Sequence, residues 1–420
     1  MSDPQKSSSD PLTVFMLSDA PMGAYHHYCA QLCNALVKRP DIAEVRLISL
    51  FEERGANPSC DRQGGISPEE RALLDPKVIL EVLGPDGRSK VHRYLAFFRN
   101  LLRHLREVSR SGRRVIHIQT ATGLQLLDTV LPVLYRLMGV PIVRTLHELT
   151  AAERIRKPSA LELRVGRVQL GLADAVIVHS VETRRTLANP LGGKIPAVIP
   201  HGNYLVFRNY MPEGVEDSSP VQEPPAVLFL GIKRHKGIEV FIEALRRLHR
   251  RGIPVRAMIA GRVNPGDEDL IEQIRGLPNA EILPGYIPNA DLWRTYRRSD
   301  AVILPYLRGT TSGAVHLAYA FKRPVIASDL DCFREVVVEG KTGLIVPRGD
   351  AQALAEAMIR ICANQEERLR MGEEAFRHTQ SERFEWNSIA RQTYLVYTGL
   401  DDRKAAARGK SPQREVLKGR

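Results

Sequence analysis

Two loops in this chain gather the residue types that bind phosphate. Gly231-Ile-Lys-Arg-His-Lys-Gly237 sets Lys233, Arg234 and Lys236 between two glycines, after an apolar β-branched run and before a helical pattern. Leu307-Arg-Gly-Thr-Thr-Ser-Gly313 lies between another such run and an apolar helical stretch, Ala314 to Phe321. Thr311, Ser312 and Gly313 would offer backbone N–H groups at a helix start, where phosphate is attracted. Ser312 serves equally well as an ordinary cap, Gly313 as a turn glycine, and loop cations as solvated charges. A lone histidine, His147, ends the run Ile142–Leu146, and His26 and His27 follow Gly23 near the start of a helix. Alone, each of these histidines reads as structural.

The elements needed to position those loops are legible. Asp300–Tyr306, the helical stretch and Pro324–Ser328 make one strand–helix–strand unit, whose loop sits at the carboxyl end of a strand, where open parallel sheets bind ligands. Upstream, Thr13–Ser18 and a glycine-bearing loop lead into a helix, a Rossmann-type opening without the GxGxxG of dinucleotide sites. Further strands are expected at 45–50, 78–83, 115–119, 142–146, 175–178, 197–199, 226–230, 255–260 and 281–283. Helices alternate with them, so the fold class is α/β with parallel sheets covered on both faces.

At 420 residues and 43% hydrophobic content the chain has enough material for two cored domains. No run is apolar for the length of a membrane-spanning helix, and the Ser- and Asp-rich start lacks a signal-peptide pattern. Its five cysteines show no CxxC or zinc spacing, which fits a reducing cytoplasm. The net charge of +12 is concentrated between Arg88 and Arg114, with nine Lys/Arg against one acid, Glu107. There Val91, Tyr94, Leu95, Phe98, Leu101, Leu102, Leu105 and Val108 keep helical spacing, predicting an inward stripe. Arg99, Arg103, Arg106 and Arg110 then face outward, toward an anionic membrane surface. No zinc finger, helix-turn-helix or aromatic stacking motif supports nucleic acid as the partner.

The ordered succession of His147, Ala173-Asp174, Pro200-His-Gly, Lys236-Gly237, Asp300–Tyr306, Thr311-Ser-Gly, Arg323–Ser328 and Glu339–Pro347 resembles the retaining group 1 (family 4) glycosyltransferases. The resemblance covers nearly the whole chain. It implies the GT-B architecture: two Rossmann-like domains facing across a cleft, with a C-terminal helix crossing back to the first. On that frame residues 1–205 are the acceptor-binding domain, 206–225 a linker and 226–385 the nucleotide-sugar domain. The crossing helix is 386–399, and 400–420 is a disordered basic tail.

The resemblance further implies that Arg234 and Lys236 grip the donor diphosphate beside Thr311, Ser312 and Gly313, with Lys233 competing for the arginine's place. It implies that His147 approaches the transferred sugar, and that the Gly23–His26 loop lies beside donor or acceptor. Two family glutamates would fall at Leu317 and near Gly309 or Thr310, and neither is present; Lys322 replaces a common glycine. His316 and Glu335 are the substitutes expected to orient sugar and ribose. No metal or other cofactor is expected.

The reading is a cytoplasmic, peripherally membrane-associated retaining hexosyltransferase. It would use a UDP- or GDP-sugar and a lipid-linked or polysaccharide-precursor hydroxyl. A non-catalytic subunit of the same fold, or a sugar-nucleotide epimerase, are the alternatives.

Overall fold

A computed structural model describes residues 10–18, 24–49, 68–84, 90–119, 125–147, 160–187, 194–215, 224–263, 266–309 and 312–407. They fall into two compact units. Of the described residues, the first unit takes in those up to His147, 160–200 and those from Trp386; the second takes in His201–Glu385.

The first unit holds seven parallel strands: β1 (Leu12–Ser18), β2 (Ile42–Ser49), β3 (Ile79–Val82), β4 (Arg114–Ile118), β5 (Ile142–Leu146), β6 (Ala175–Val178) and β7 (Ala197–Val198). Their order is β3-β2-β1-β4-β5-β6-β7. The second holds β8 (Ala226–Leu230), β9 (Arg256–Gly261), β10 (Ala280–Pro284), β11 (Ala301–Leu304), β12 (Val325–Ser328) and β13 (Gly343–Val346), ordered β10-β9-β8-β11-β12-β13. All seven residues of β1 are buried, as are all four of β11 and of β12. Such continuous apolar runs suit strands covered on both faces. In each sheet the order reverses beside the first strand, between β1 and β4 and between β8 and β11. Loops leaving the carboxyl ends of those pairs diverge and open a crevice.

The last helix, Trp386–Ala407, belongs to the first unit. Ile389, Ala390, Tyr397 and Leu400 recur at helical spacing and are buried in the same core as β1 and the Ala24–Leu36 helix. The helix therefore runs past the expected end at 399 into the expected tail; residues 408–420 lie outside the described residues. The expected linker also begins later than 206. Leu205–Tyr210 forms a 3-10 turn with Phe207 fully buried, and Arg208 donates to the Ala320 carbonyl at 2.8 Å. A buried aromatic ties that segment to the second unit.

The Lys90–Arg110 helix corrects a sequence expectation. Its inward side is Ala96, Asn100, His104 and Val108. His104 is fully buried, 2.8 Å from the Tyr135 hydroxyl and 3.3 Å from Glu81, while Asn100 donates to the Val82 carbonyl. Tyr94 (68% exposed), Leu95 (63%), Phe98 (58%) and Leu102 (55%) lie outward instead. At about 100° per residue, these apolar residues centre roughly a third of a turn or more from the buried ridge. Arg99, Arg103, Arg106 and Arg110 are exposed on the neighbouring arc. Of the expected stripe, Val108 is buried, Leu101 and Leu105 are half-buried, and Tyr94, Leu95, Phe98 and Leu102 are left in solvent.

In the second unit, Arg368 and Asp300 form a buried ion pair at 3.2 Å. Asp300 also receives the first amide of β8 (Ala226, 2.8 Å), and Arg368 donates to the Ile361 carbonyl at 3.0 Å. Removing one member leaves the other charge buried without its partner. Arg368→Leu is expected to lower the urea-unfolding free energy of this unit by about 3–5 kcal/mol. A change under about 1 kcal/mol would show that water reaches Asp300.

Candidate active site

The phosphate-binding candidates of the second unit meet at the β8/β11 reversal. After β8, Gly231 adopts φ +87°, Lys233 is extended, Arg234–Lys236 makes a single 3-10 turn, and Gly237 closes it at φ +75°. A Cβ on Gly237 would lie 1.9 Å from the Pro305 carbonyl oxygen, so only glycine lets this turn rest on the end of β11. The Leu307 amide donates to the His235 carbonyl at 2.9 Å and clips the two loops together. Lys236 is thereby held with Nζ 3.2 Å from the Leu230 carbonyl and 5.3 Å from the Tyr306 ring centroid. This fixes a cation at the crevice, over the electron-rich face of an aromatic ring.

Across β11, the helix Gly313–Ala320 begins at an extended Ser312 whose hydroxyl makes no capping bond. The ordinary-cap reading of Ser312 therefore does not describe this structure. The Tyr204 ring lies 2.7 Å from where a Gly313 Cβ would stand, so glycine is again required by close packing. Thr311 lies outside the described residues.

Other expected ligands are placed differently. Arg234 donates through Nε to Asp267 (3.1 Å), through Nη2 to both oxygens of Asp269 (2.7 and 2.8 Å) and through Nη1 to Glu239. Hydrogen bonding to Asp269, with the neighbouring Glu239 and Asp267, raises its pKa further. Three carboxylates around one guanidinium make this spot negative on balance, which disfavours a diphosphate. In this structure the Arg234 guanidinium is thus engaged by carboxylates of its own unit rather than turned to an anion.

His316 is fully buried, stacked on His201 (5.3 Å, 11° between planes) and edge-on to Phe384 at 4.8 Å. It packs the core of the second unit, because its helix buries residues 315, 316, 318, 319 and 320 on one side. The half-buried Leu317 stands where the resemblance has a glutamate. Gly309 sits at φ +154°, which a glutamate there would not readily adopt, and Lys322 takes φ +55° where glycine is usual. Glu335 is half-buried at the end of the Asp331–Arg334 helix, just beyond β12. An open pocket of about 420 Å³ at that side is lined by Asp329, Arg334, Glu339 and Pro347 among others.

In the first unit, the residues immediately after β4, β5 and β6 are Gln119, His147 and His179. Three adjacent parallel strands, about 4.8 Å apart, set them in a row across the sheet end. The His147 ring lies with Nε2 3.0 Å from Gln119 Oε1 and Nδ1 3.1 Å from His179 Nε2. His179 Nδ1 is 2.9 Å from the Ile199 carbonyl. Behind Gln119, His117 meets Thr145 at 2.7 Å and the Tyr397 hydroxyl of the last helix at 2.6 Å. Tyr28 packs edge-on against both His147 and His179. Burial lowers the pKa of His117 to about 3 and of His179 to about 4, so both are neutral near pH 7.

His117, Gln119 and His179 were not among the sequence candidates. Their signal was a polar residue at the carboxyl end of an otherwise apolar strand, the same signal that marked His147. His26, by contrast, is buried, 3.1 Å from the Glu70 carbonyl, and burial lowers its pKa. Gly23 lies outside the described residues.

Both halves of the chain match known families. The sequence model described as "Glycosyltransferase Family 4" matches residues 26–203, and that described as "Glycosyl transferases group 1" matches 224–364. The chain belongs to the group 1, family 4 glycosyltransferases. This glycosyltransferase is 29% identical over 325 residues to the phosphatidyl-myo-inositol mannosyltransferase of Mycolicibacterium smegmatis, spanning 75% of each chain. Among solved structures it resembles sucrose-phosphate synthase from Thermosynechococcus elongatus, at 22% identity and a TM-score of 0.68, over 93% of this chain and 99% of that one. It also resembles Anabaena HepE, solved with UDP and glucose, at 17% identity and a TM-score of 0.68, over 92% and 99%. The fold class is GT-B, and the chain is a glycosyltransferase of the hexosyltransferase kind.

The buried histidines make the enzyme's stability depend on pH. Unfolded histidine takes up a proton near pH 6.5, while folded His117 and His179 refuse it until about pH 3 and about pH 4. Their contribution is fully present above 6.5 and declines as the pH falls. Two such groups predict a loss approaching about 3 kcal/mol per pH unit once below 6.5. Urea midpoints measured from pH 7 to 5, above the carboxylate range, should fall accordingly; a flat profile would mean that the histidines are charged in the folded chain.

Proposed function

We propose that this glycosyltransferase moves a hexose, with retention of anomeric configuration, from a UDP- or GDP-sugar to the hydroxyl of a lipid-linked or polysaccharide-precursor acceptor. The observation that carries the reading is Lys236, clamped at the β8/β11 reversal beside a helix start that Ser312 leaves uncapped. As the glycosidic bond breaks, negative charge grows on the leaving diphosphate. A fixed ammonium and oriented backbone N–H groups stabilise that charge without reorganising. The acceptor hydroxyl attacks the anomeric carbon from the face the diphosphate leaves, and its proton passes to a phosphate oxygen of the leaving group. No step in this scheme calls on a metal. Glu335, beyond β12, and Lys233 complete the donor side in place of His316 and Arg234. His147 stands against the sugar. The mannosyltransferase relative, named for a phosphatidylinositol acceptor, and HepE, solved with UDP, support the two ends of the reaction.

The acceptor end is supported by the Lys90–Arg110 helix as well. An exposed apolar arc beside an arginine arc is the pattern of a helix lying in a membrane interface. Arginines near an anionic surface contribute about 1 kcal/mol each. The outward Tyr94, Leu95, Phe98 and Leu102 add burial in the acyl boundary, which salt does not screen. On this reading the enzyme works at the cytoplasmic face of a membrane. Attachment is therefore only partly electrostatic, unlike the purely charge-driven attachment the sequence suggested. No described helix is long and apolar enough to cross a membrane.

Lys236→Ala is expected to weaken UDP or GDP binding by about 1.5–3 kcal/mol in calorimetry, leaving the free nucleoside nearly unaffected. Equal weakening of both would make Lys236 a structural residue. In flotation assays the enzyme should rise with anionic vesicles and less with neutral ones. Arg103→Glu with Arg106→Glu should release it at low salt, and Phe98→Ser with Leu102→Ser should remove the salt-resistant fraction. If neither pair changed flotation, the helix would be merely a solvated surface.

A further inference from the structure

The row of side chains across β4, β5 and β6 carries a proton assignment. A carbonyl oxygen only accepts, so His179 Nδ1, 2.9 Å from the Ile199 carbonyl, holds the hydrogen of that bond. A neutral imidazole then has a bare Nε2, and this nitrogen lies 3.1 Å from His147 Nδ1. The contact is a hydrogen bond only when His147 Nδ1–H donates. The opposite edge of His147 lies 3.0 Å from Gln119 Oε1, and the amide nitrogen of Gln119 lies 3.0 Å from Met16 Sδ and 3.2 Å from His117 Nε2. Turned over, the same amide donates its N–H to a bare His147 Nε2 and offers its oxygen to His117 Nε2–H.

We propose that His179 is a positioning residue for the reaction: it pins the proton of His147 on Nδ1 and fixes the plane of the ring. Nε2 of His147 is then the one nitrogen that can exchange Gln119 for a hydroxyl of the transferred sugar. As a bare nitrogen it accepts a hydrogen bond from that hydroxyl. Tyr28, edge-on to both rings at 4.7 and 5.2 Å, keeps the pair from turning, and Trp386 backs Tyr28 at 5.1 Å. All of these groups belong to the first unit. The inference rests on the reading of His147 as the residue beside the sugar, but the proton assignment is independent of it.

Long-range proton–nitrogen correlation spectra of the full chain, labelled at its 12 histidines, report each tautomer directly. His147, identified by the signal lost in His147→Gln, should be protonated at Nδ1. His179→Leu removes the acceptor, whereas His179→Gln can place an amide oxygen near the position of Nε2. The leucine variant should shift the His147 tautomer and lower kcat for transfer on the order of 100-fold, with the donor KM unchanged. The glutamine variant should restore both. An Nε2-only proton on wild-type His147, an unchanged tautomer and kcat in His179→Leu, or equal damage in the leucine and glutamine variants would overturn the proposal. Wild-type transfer by His147→Ala would overturn the role given to His147 itself while the tautomer spectra stood.

Discussion

The lysine loop of the second unit depends on one backbone contact, the turn at Gly237 lying against the carbonyl of Pro305. The absence of a Cβ at that point lets two loops from neighbouring strands share space that a side chain would fill. The consequence reaches the adjoining residue: Lys236 is folded back toward the end of β8 and over Tyr306. An ammonium held in this way would need no search for the proposed diphosphate, and less side-chain entropy would be lost on binding. The same economy recurs at Gly313, where the Tyr204 ring occupies the missing side chain's place. Glycine here specifies proximity more than flexibility.

The parallel sheets and the candidate loops were legible because their signals are local. Apolar β-branched runs mark strands buried on both faces, and the order of strands and helices then points to the carboxyl ends. What the sequence did not disclose was non-local. Nothing around Arg234 announces that Asp267 and Asp269, more than thirty residues on, will surround it. The buried state of His316 likewise depends on His201 and Phe384, which arrive from opposite ends of the second unit. Gln119 and His179 carried the same signal as His147, a polar residue closing an apolar strand. They gain meaning only when three strands are set side by side.

The Lys90–Arg110 helix shows a different limit of sequence reasoning. Periodicity states which residues share a face, but not which face turns inward. Here the buried side carries the His104–Tyr135 hydrogen bond, with Glu81 3.3 Å from the other ring nitrogen, and the more apolar arc is left outside. The hydrophobic pattern alone therefore does not settle how such a helix is rotated on its sheet.

The last helix has a consequence for how the protein is made. Its Ile389, Tyr397 and Leu400 complete the core of a unit whose other residues are all translated within the first half of the chain. Until those final turns emerge from the ribosome, the Ala24–Leu36 helix lacks its covering layer and His117 lacks the Tyr397 hydroxyl. The second unit, all of it translated before Trp386, has no such wait. A ribosome that stalls before Trp386 therefore leaves a finished second unit attached to an unfinished first one.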